Sequence, residues 1–296
     1  MNILIVGLVK NPQFMRLQEE GKKKGHLVDG CYSSDLAIKA DKNKFKLILF
    51  EKDIESYDLI YFWTPGKRRW EWYTAAKYLN EKKGTVVVNY KTVDPKYKLY
   101  LTPAMNYLKQ TRENIPFPKS AIIFSSKMID EVIQGFEFPL ILKASIGRQG
   151  KGVFKVESIS ELRKLVDELI ETSPSVVIRE FIPNDGDIRV FTVGYSAIGA
   201  MKRTPVRKGE FRSNISLGGK GEKCELDKYP NIKEIAEKMS NITATEIAGV
   251  DIMINKDSGK PYVLEINPGP QFSGFEKYTG VNAALEIIKY FEKLKK

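Results

Sequence analysis

The chain has 296 residues, with 48 Lys plus Arg against 37 Asp plus Glu, a net charge of +11, two cysteines and one histidine. That length accommodates two or three lobes, and the positive balance favours anionic partners, whether nucleotide, acidic peptide or nucleic acid. Cys31 and Cys224 form neither a zinc spacing nor a disulfide framework, so a reducing, cytoplasmic compartment is the simplest reading. No basic segment followed by a long apolar run opens the chain, and no stretch approaches about 18 apolar residues, which argues against a signal peptide and a membrane span. His26 follows a Lys-rich helix and reads as a surface residue, leaving no basis for a histidine-activated serine or cysteine.

Asn2 to Val9 reads as a buried strand, Asn11 to Lys24 as a helix ended by Gly25, and Leu27 to Tyr32 as a second strand. This is a β-α-β opening of a doubly wound layer. Gly7 stands alone where a dinucleotide fingerprint needs three spaced glycines, so no nucleotide is inferred there. Phe45 to Phe50 and Leu59 to Trp63 read as further strands of the layer, Trp70 to Glu81 as a helix and Thr85 to Asn89 as a closing strand. Gly66-Lys67-Arg68-Arg69-Trp70 is either a solvated helix start or an anion-binding patch. Thr92 to Pro95 marks the end of a first α/β domain, residues 1–93.

Tyr97 to Gln110 reads as a helix rich in lysine at its start, with Lys91, Lys96 and Lys98. A strand is expected at Ala121 to Phe124 and a helix at Ser126 to Gly135. In Pro139 to Val156, two strands flank a loop containing Gly147, Gly150 and Gly152. Glycine lets backbone N–H groups turn towards a phosphate, and Arg148 and Lys151 add charge. A strand follows the loop, so it is neither a Walker loop nor a dinucleotide fingerprint. Lys143 lies in an apolar strand, where a lysine is costly unless it meets an anion or reaches out to water.

Ser160 to Glu171 reads as an amphipathic helix and Ser175 to Ile182 as a strand broken at Pro183 to Gly186. Asp187 to Val193 is a strand with Asp187 and Arg189 on one face, pairing across Tyr195-Ser196 with Ala197 to Lys202. Gly209 to Asn214 and the glycine-rich Gly218 to Gly221 read either as solvated loop or as groups suited to phosphoryl oxygens. Ile232 to Ser240 and Val281 to Leu294 are helical. Between them, Ala248 to Ile254 and Pro261 to Gly269 flank the turn Asp257-Ser258-Gly259. A three-residue loop centred on Ser258 pairs Lys256 with Lys260, sets Asp251 opposite Glu265 and leaves Asn267 on the same face, whereas a bulge at Gly259 would shift that register by one. Like charges directly opposite are unfavourable, so a cation is expected between them. The donors are hard oxygens, which suits Mg²⁺ or Mn²⁺; the alternative is a wet face whose acids pair with distant lysines.

The lysine strand with its glycine loop, Arg179-Glu180-Phe181-Ile182, Gly186-Asp187-Ile188-Arg189, Phe211-Arg212-Ser213-Asn214 and the Asp251/Glu265/Asn267 hairpin occur in an order that resembles the ATP-grasp superfamily. Within it the chain looks most like the RimK branch, ligases that attach amino acids such as glutamate to a carboxylate-bearing acceptor. The resemblance runs from roughly Asp94 to the C-terminus. It implies an N-terminal doubly wound α/β domain (1–93), a central lobe with a glycine-rich lid (94–175) and a C-terminal lobe with a metal site (176–296), the two ATP-grasp lobes being built on antiparallel sheets. Lys143 would contact the α- and β-phosphates and Lys98 would be the earlier family lysine, although Tyr97-Lys98 stands in place of the usual Asp-Lys pair and Lys96 adjoins it. Glu180, Phe181 and Ile182 would read adenine and ribose, and Asp187, Arg212, Ser213 and Asn214 would contact nucleotide and phosphates. Arg203, with Arg212 and Asn214, would steady the reacting groups. Asp251, Glu265 and Asn267 would hold two Mg²⁺ (or Mn²⁺) ions, and Gly147, Gly150 and Gly152 would close over the ATP.

The implied reaction is ATP-dependent ligation of an amino acid to a peptide, protein tail, carrier protein or cofactor acid through an acyl-phosphate, with no membrane partner. Family members often form homo-oligomers. Two rivals are a nucleotide-binding regulatory protein without chemistry and a basic nucleic-acid binder suggested by the +11 charge and Lys67-Arg68-Arg69.

Overall fold

The computed structural model describes residues 1–96, 102–144, 152–205 and 219–295. Lys98, Gly147, Arg148, Gly150, Lys151, Arg212, Ser213 and Asn214 lie outside them.

The first part of the chain is a parallel sheet in the order β2-β1-β5-β6, formed by β1 (Asn2–Val6), β2 (Leu27–Cys31), β5 (Leu59–Phe62) and β6 (Val86–Val88). Ile3, Leu4, Ile5 and Val6 are fully buried because both faces of this sheet are covered, which is why β1 reads as a continuous apolar run. One face carries α1 (Pro12–Lys23), whose first turn is capped by Asn11 Oδ1 accepting from Phe14 N at 2.9 Å. The other carries α2 (Arg69–Lys83) and an antiparallel hairpin of β3 (Leu36–Asp41) and β4 (Lys44–Leu49). The segment expected as a third strand of the layer at Phe45 to Phe50 is therefore this hairpin's second arm. It joins its own two-stranded sheet because Leu47 and Leu49 bury against α2's face while alternate residues stay wet.

Next come α3 (Pro103–Arg112), β7 (Ser120–Ile123), α4 (Ile129–Val132), β8 (Leu140–Ala144), β9 (Val153–Val156), α5 (Ile159–Thr172) and β10 (Val176–Glu180). The strands form an antiparallel sheet ordered β7-β10-β8-β9. Leu140, Leu142 and Ala144 turn inward with α5's Leu162 and Val166, so Ile141 and Lys143 present the opposite face. β10, which begins at the expected division at 175/176, lies inside this sheet between β7 and β8. The helix expected at Ser126 to Gly135 shrinks to a 3₁₀ turn and the four residues of α4, of which only Ile129 is buried.

The last part is a five-stranded antiparallel sheet, β13-β12-β11-β14-β15, built from β11 (Asp187–Val193), β12 (Ser196–Thr204), β13 (Lys220–Cys224), β14 (Ile247–Ile254) and β15 (Pro261–Asn267). β11 and β12 turn at Gly194-Tyr195, both with positive φ, one residue earlier than expected. α6 (Pro230–Ile242) covers one face. α7 (Ser273–Thr279) and α8 (Ala283–Leu294) extend from the other towards the first domain, where Ile287, Ile288 and Phe291 are fully buried. At about 2 kcal/mol per buried side chain those three residues alone weld the two parts. His26 belongs to the same seam: its Nε2 lies 3.0 Å from Glu292 Oε1, so it is half-buried and paired, not a free surface residue. Both cysteines are free and buried. Among the described residues no helix is long and apolar enough to cross a membrane.

Candidate active site

The site is assembled on the β14–β15 hairpin. Asn255 N donates to Lys260 O at 2.9 Å and Gly259, at φ +69°, donates to Asn255 O at 2.8 Å, closing a loop of residues 256–259. Ile254 then faces Pro261 and Ile252 faces Val263, one residue out of the expected Lys256–Lys260 register. A bulge at Leu264 removes the offset, so that Asp251 stands opposite Glu265 and Gly249 opposite Asn267. Without that extra residue every side chain beyond it would change face, and Glu265 would leave the site.

Asn267 Nδ2 lies 3.4 Å from Asp251 Oδ2 and 3.3 Å from Glu265 Oε1, so the three expected side chains converge. The opposed acids are stable here because cations surround them. Arg189, opposite Asp251 on β11, donates through Nε and Nη2 to its two oxygens, each at 2.7 Å. Arg203 Nη2 is 3.0 Å from Asp251 Oδ2 and also pairs with Asp187, to which its Nε donates at 3.1 Å. From the central lobe, Lys143 Nζ donates to Glu265 Oε2 at 2.8 Å.

Burial pushes the Asp251 carboxyl up, but Arg189 and Arg203 outweigh it and hold the group well below the usual carboxylate range. Burial likewise opposes ionisation of Glu265, and Lys143 outweighs it. Gly186 makes the Asp187–Arg203 contact attainable: its φ of +112° and an approach that would bring a Cβ within 2.0 Å of the Arg203 carbonyl oxygen exclude any other residue.

A cleft of about 200 Å³ opens beside the Lys143–Glu265 pair, walled by Asn106, Tyr107, Arg179 and Leu264 among others. Arg179 Nη2 donates to Tyr107 Oη at 2.8 Å and to the bulge carbonyl of Leu264 at 3.4 Å. Arg179 Nε and Asn106 Oδ1, both buried there, have no partner among the described residues.

The profile of the RimK-like ATP-grasp domain matches residues 103–291, which include every residue of this constellation. The chain belongs to the RimK-like ATP-grasp family. A probable alpha-L-glutamate ligase of Legionella pneumophila (strain Corby) is 34% identical over 185 residues, covering 62% of this chain and 60% of that protein. The chain thus spans about 60% of the length of such relatives in the aligned part. A probable alpha-L-glutamate ligase of Vibrio atlanticus (strain LGP32) is 29% identical over 283 residues, 94% of this chain and 90% of its own length. The fold is similar to that of the ATP-grasp ligase PsnB, solved with a phosphomimetic variant of a minimal precursor, Mg and ADP. That comparison has a TM-score of 0.75 and 17% identity and covers 99% of this chain and 98% of the other.

Of the other residues that the family resemblance singled out, Glu180 ends β10 of the central sheet, and Phe181 and Ile182 follow it on the way to β11. Glu180 Oε1 accepts from Lys119 N at 2.7 Å, and Lys155 Nζ sits 4.8 Å over the Phe181 ring. Gly152, at φ +80°, accepts through its carbonyl from Ala144 N at 3.0 Å and so closes the strand pair around Lys143. Arg203 and Asp187 are only 4% and 3% exposed and are committed to each other and to Asp251. They stand behind the carboxylate, where the RimK resemblance had implied contact with phosphates and nucleotide. Sequence reasoning missed Asn89, which is fully buried at φ +55°. Its Nδ2 donates to Ile247 O at 3.1 Å and Pro268 O at 2.8 Å, and its Oδ1 accepts from Ile247 N at 3.0 Å. It ties the start of β14 to the exit of β15, and only a non-glycine residue with positive φ at a strand end signals it.

Among the described residues no three His, Cys, Asp or Glu side chains converge on a metal site, so a cation here would take two carboxylates and the Asn267 amide. Two carboxylates and an amide oxygen are hard donors of the kind that suit Mg²⁺.

Proposed function

We propose that the chain is an ATP-dependent carboxylate–amine ligase that joins an amino acid such as glutamate to an acidic acceptor through an acyl-phosphate, releasing ADP. The observation that carries this reading is the meeting of Lys143 from one lobe with the Asp251–Glu265–Asn267 set of the other. Cations and oxygen ligands brought together across a cleft are what a metal-bound triphosphate requires. The glutamate in the names of the relatives supports the amino acid, and the precursor, Mg and ADP in the PsnB structure support nucleotide and peptide ligands.

In this reading Asp251, Glu265 and Asn267 would hold two Mg²⁺ (or Mn²⁺) ions, whose positive charge would offset that of the reacting phosphates. The two acids are ligands and not an acid–base pair. Lys143 turns from Glu265 to the α- and β-phosphates, while Glu180, Phe181 and Ile182 border the base and ribose. Arg203 and Asp187 act by fixing Asp251. Lys98, Arg212, Ser213, Asn214 and the loop with Gly147, Gly150 and Gly152 complete the phosphate contacts in the proposal.

The acceptor carboxylate attacks the γ-phosphorus, the bond to the bridging oxygen breaks and ADP leaves. The amine then attacks the acyl carbon and phosphate departs with the acyl oxygen's electron pair. No protein nucleophile is needed, in keeping with a Cys31 thiol that burial pushes up to about 12.

The test is a coupled assay of ADP release over amino acids, acidic peptides and cofactor acids. Release that needs both substrates and Mg²⁺ is expected. Formation of AMP and pyrophosphate would overturn the mechanism, and nucleotide binding without turnover across the whole screen would favour a regulatory protein.

A further inference from the structure

The β3–β4 hairpin contains a second opposed pair of like charges, and this one forms no ion pair among the described residues. Lys39 and Lys46 are direct cross-strand partners, flanked by the pairs Ala37–Ile48 and Asp41–Lys44. All six residues lie on the outward face and are exposed, whereas Leu47 and Leu49 turn inward. Among the described residues Lys39, Lys42, Lys44 and Lys46 form no ion pair. Asp41, the one acid on this face, accepts from Asn43 N at 2.9 Å within the turn. Opposed like charges weaken a strand pair, and around Asp251 and Glu265 the protein supplies cations to offset this. On the hairpin the one acid, Asp41, stands opposite Lys44 at the turn, and none faces Lys39 and Lys46 among the described residues.

Two further features describe the missing partner. Along β4 the outward side continues from Lys44 and Lys46 to Ile48 and then Phe50, which are 42% and 66% exposed, so apolar surface adjoins the charge. The hairpin is also a sheet of two strands, with both outer edges unpaired apart from a single bridge between Leu49 and Lys52. Free edges offer N–H and C=O groups that a polypeptide can use by strand addition and a nucleic acid cannot.

We propose that this hairpin docks an extended acidic segment of a polypeptide, whose carboxylates meet Lys39, Lys44 and Lys46 and whose apolar residue meets Ile48 and Phe50. The proposal rests on the ligase reading only in identifying that polypeptide as the acceptor; the docking itself needs neither ATP nor turnover.

The experiment is fluorescence anisotropy on the full chain, without nucleotide, using a fluorescein-labelled ten-residue peptide of glutamates with one central leucine and its glutamine counterpart. The glutamate peptide is expected to bind and the glutamine peptide not. Lys39→Glu/Lys46→Glu should weaken binding at least tenfold. Lys22→Glu/Lys24→Glu, the same charge change at the end of α1 on the opposite side of the parallel sheet, should leave affinity within twofold. If the hairpin variant misfolds by circular dichroism, Lys39→Gln/Lys46→Gln takes its place, with a loss of at least threefold expected.

Equal losses in the hairpin and α1 variants would reduce the effect to net charge and overturn the proposal. So would unchanged affinity with increased aggregation, which would make the lysines guards of an exposed edge. Preferential binding of single-stranded RNA or phosphatidylserine vesicles over the peptide would overturn it as well. ADP release without peptide binding would sink the docking alone, and peptide binding without ADP release under any condition would sink the ligase reading alone.

Discussion

Asp251 and Glu265 are equivalent as ligands in the proposed reaction, yet the structure makes them very unequal in stability. The Asp251 side chain is 5% exposed and is clasped by Arg189 and Arg203, themselves 17% and 5% exposed. Asp251→Asn removes the carboxylate that both guanidinium groups share, leaving Asp187 to pair with Arg203, and removing one partner of a buried pair costs about 3–5 kcal/mol. Glu265 and Lys143 are 42% and 38% exposed, so their ion pair contributes about 0.2–1 kcal/mol. Glu265→Gln also removes the repulsion from Asp251 directly opposite on β14, an effect smaller than the attraction of Lys143. At these half-exposed positions solvent screens the repulsion down to the size of the ion pair itself, so the two effects oppose and the net change should stay within about 1 kcal/mol. At about 2–4 °C per kcal/mol, differential scanning fluorimetry should show a fall of roughly 6–20 °C for Asp251→Asn and less than about 4 °C for Glu265→Gln. Both variants should lose ADP release by about a hundredfold or more. A Glu265→Gln protein as unstable as Asp251→Asn would refute the account of the charge network, and one that turned over normally would refute the metal assignment.

The Asp251 carboxyl is held below its unfolded value of about 3.9, so its stabilisation is complete above about pH 4 and disappears as pH falls through the folded value. The thermal gap between wild type and Asp251→Asn should therefore narrow as pH is lowered from about 4 towards 2; a constant gap would contradict the sign. Asn89→Ala leaves Ile247 N, Ile247 O and Pro268 O without partners in a fully buried position, which should cost roughly 3 kcal/mol in urea denaturation and speed amide exchange around residue 247. Arg179→Met frees the Leu264 carbonyl at the bulge, and the Kd for Mg·ADP by calorimetry should rise about tenfold with little change in the ligand-free melting temperature. Unchanged affinity would show that the bulge holds Glu265 in place by itself.

The ligand face of the hairpin could be read from sequence because alternation and turn residues determine it: Asp251, Glu265 and Asn267 fall together by period two once Asp257-Ser258-Gly259 is taken as the turn. The register at the turn could not. Two departures, a four-residue loop and a bulge at Leu264, cancel before the acids are reached, and an ordinary leucine inside a strand carries no bulge signal. Lys143 stood out because a lysine in an apolar strand is costly without a partner, and its partner proved to be Glu265, 122 residues away. The roles of Arg189 and Arg203 needed the pairing of β11 with both β12 and β14, which no local pattern encodes. The place of β10 between β7 and β8 was hidden for the same reason: its composition declares a strand, but its neighbours are chosen by the tertiary fold.

Among the described residues of the site, Lys143, Arg189 and Arg203 balance Asp187, Asp251 and Glu265. That balance explains how two opposed carboxylates persist in a sheet. It also constrains what can bind. A triphosphate carrying two divalent ions is itself close to neutral, so it can enter by exchange, with metals replacing cationic side chains on the carboxylates and Lys143 moving to phosphate. A bare triphosphate would have to compete with Glu265 for Lys143 and would face the carboxylates unscreened. In the proposed reaction the dependence on Mg²⁺ therefore belongs to nucleotide binding as much as to phosphoryl transfer, because the site is built to trade one balanced set of charges for another.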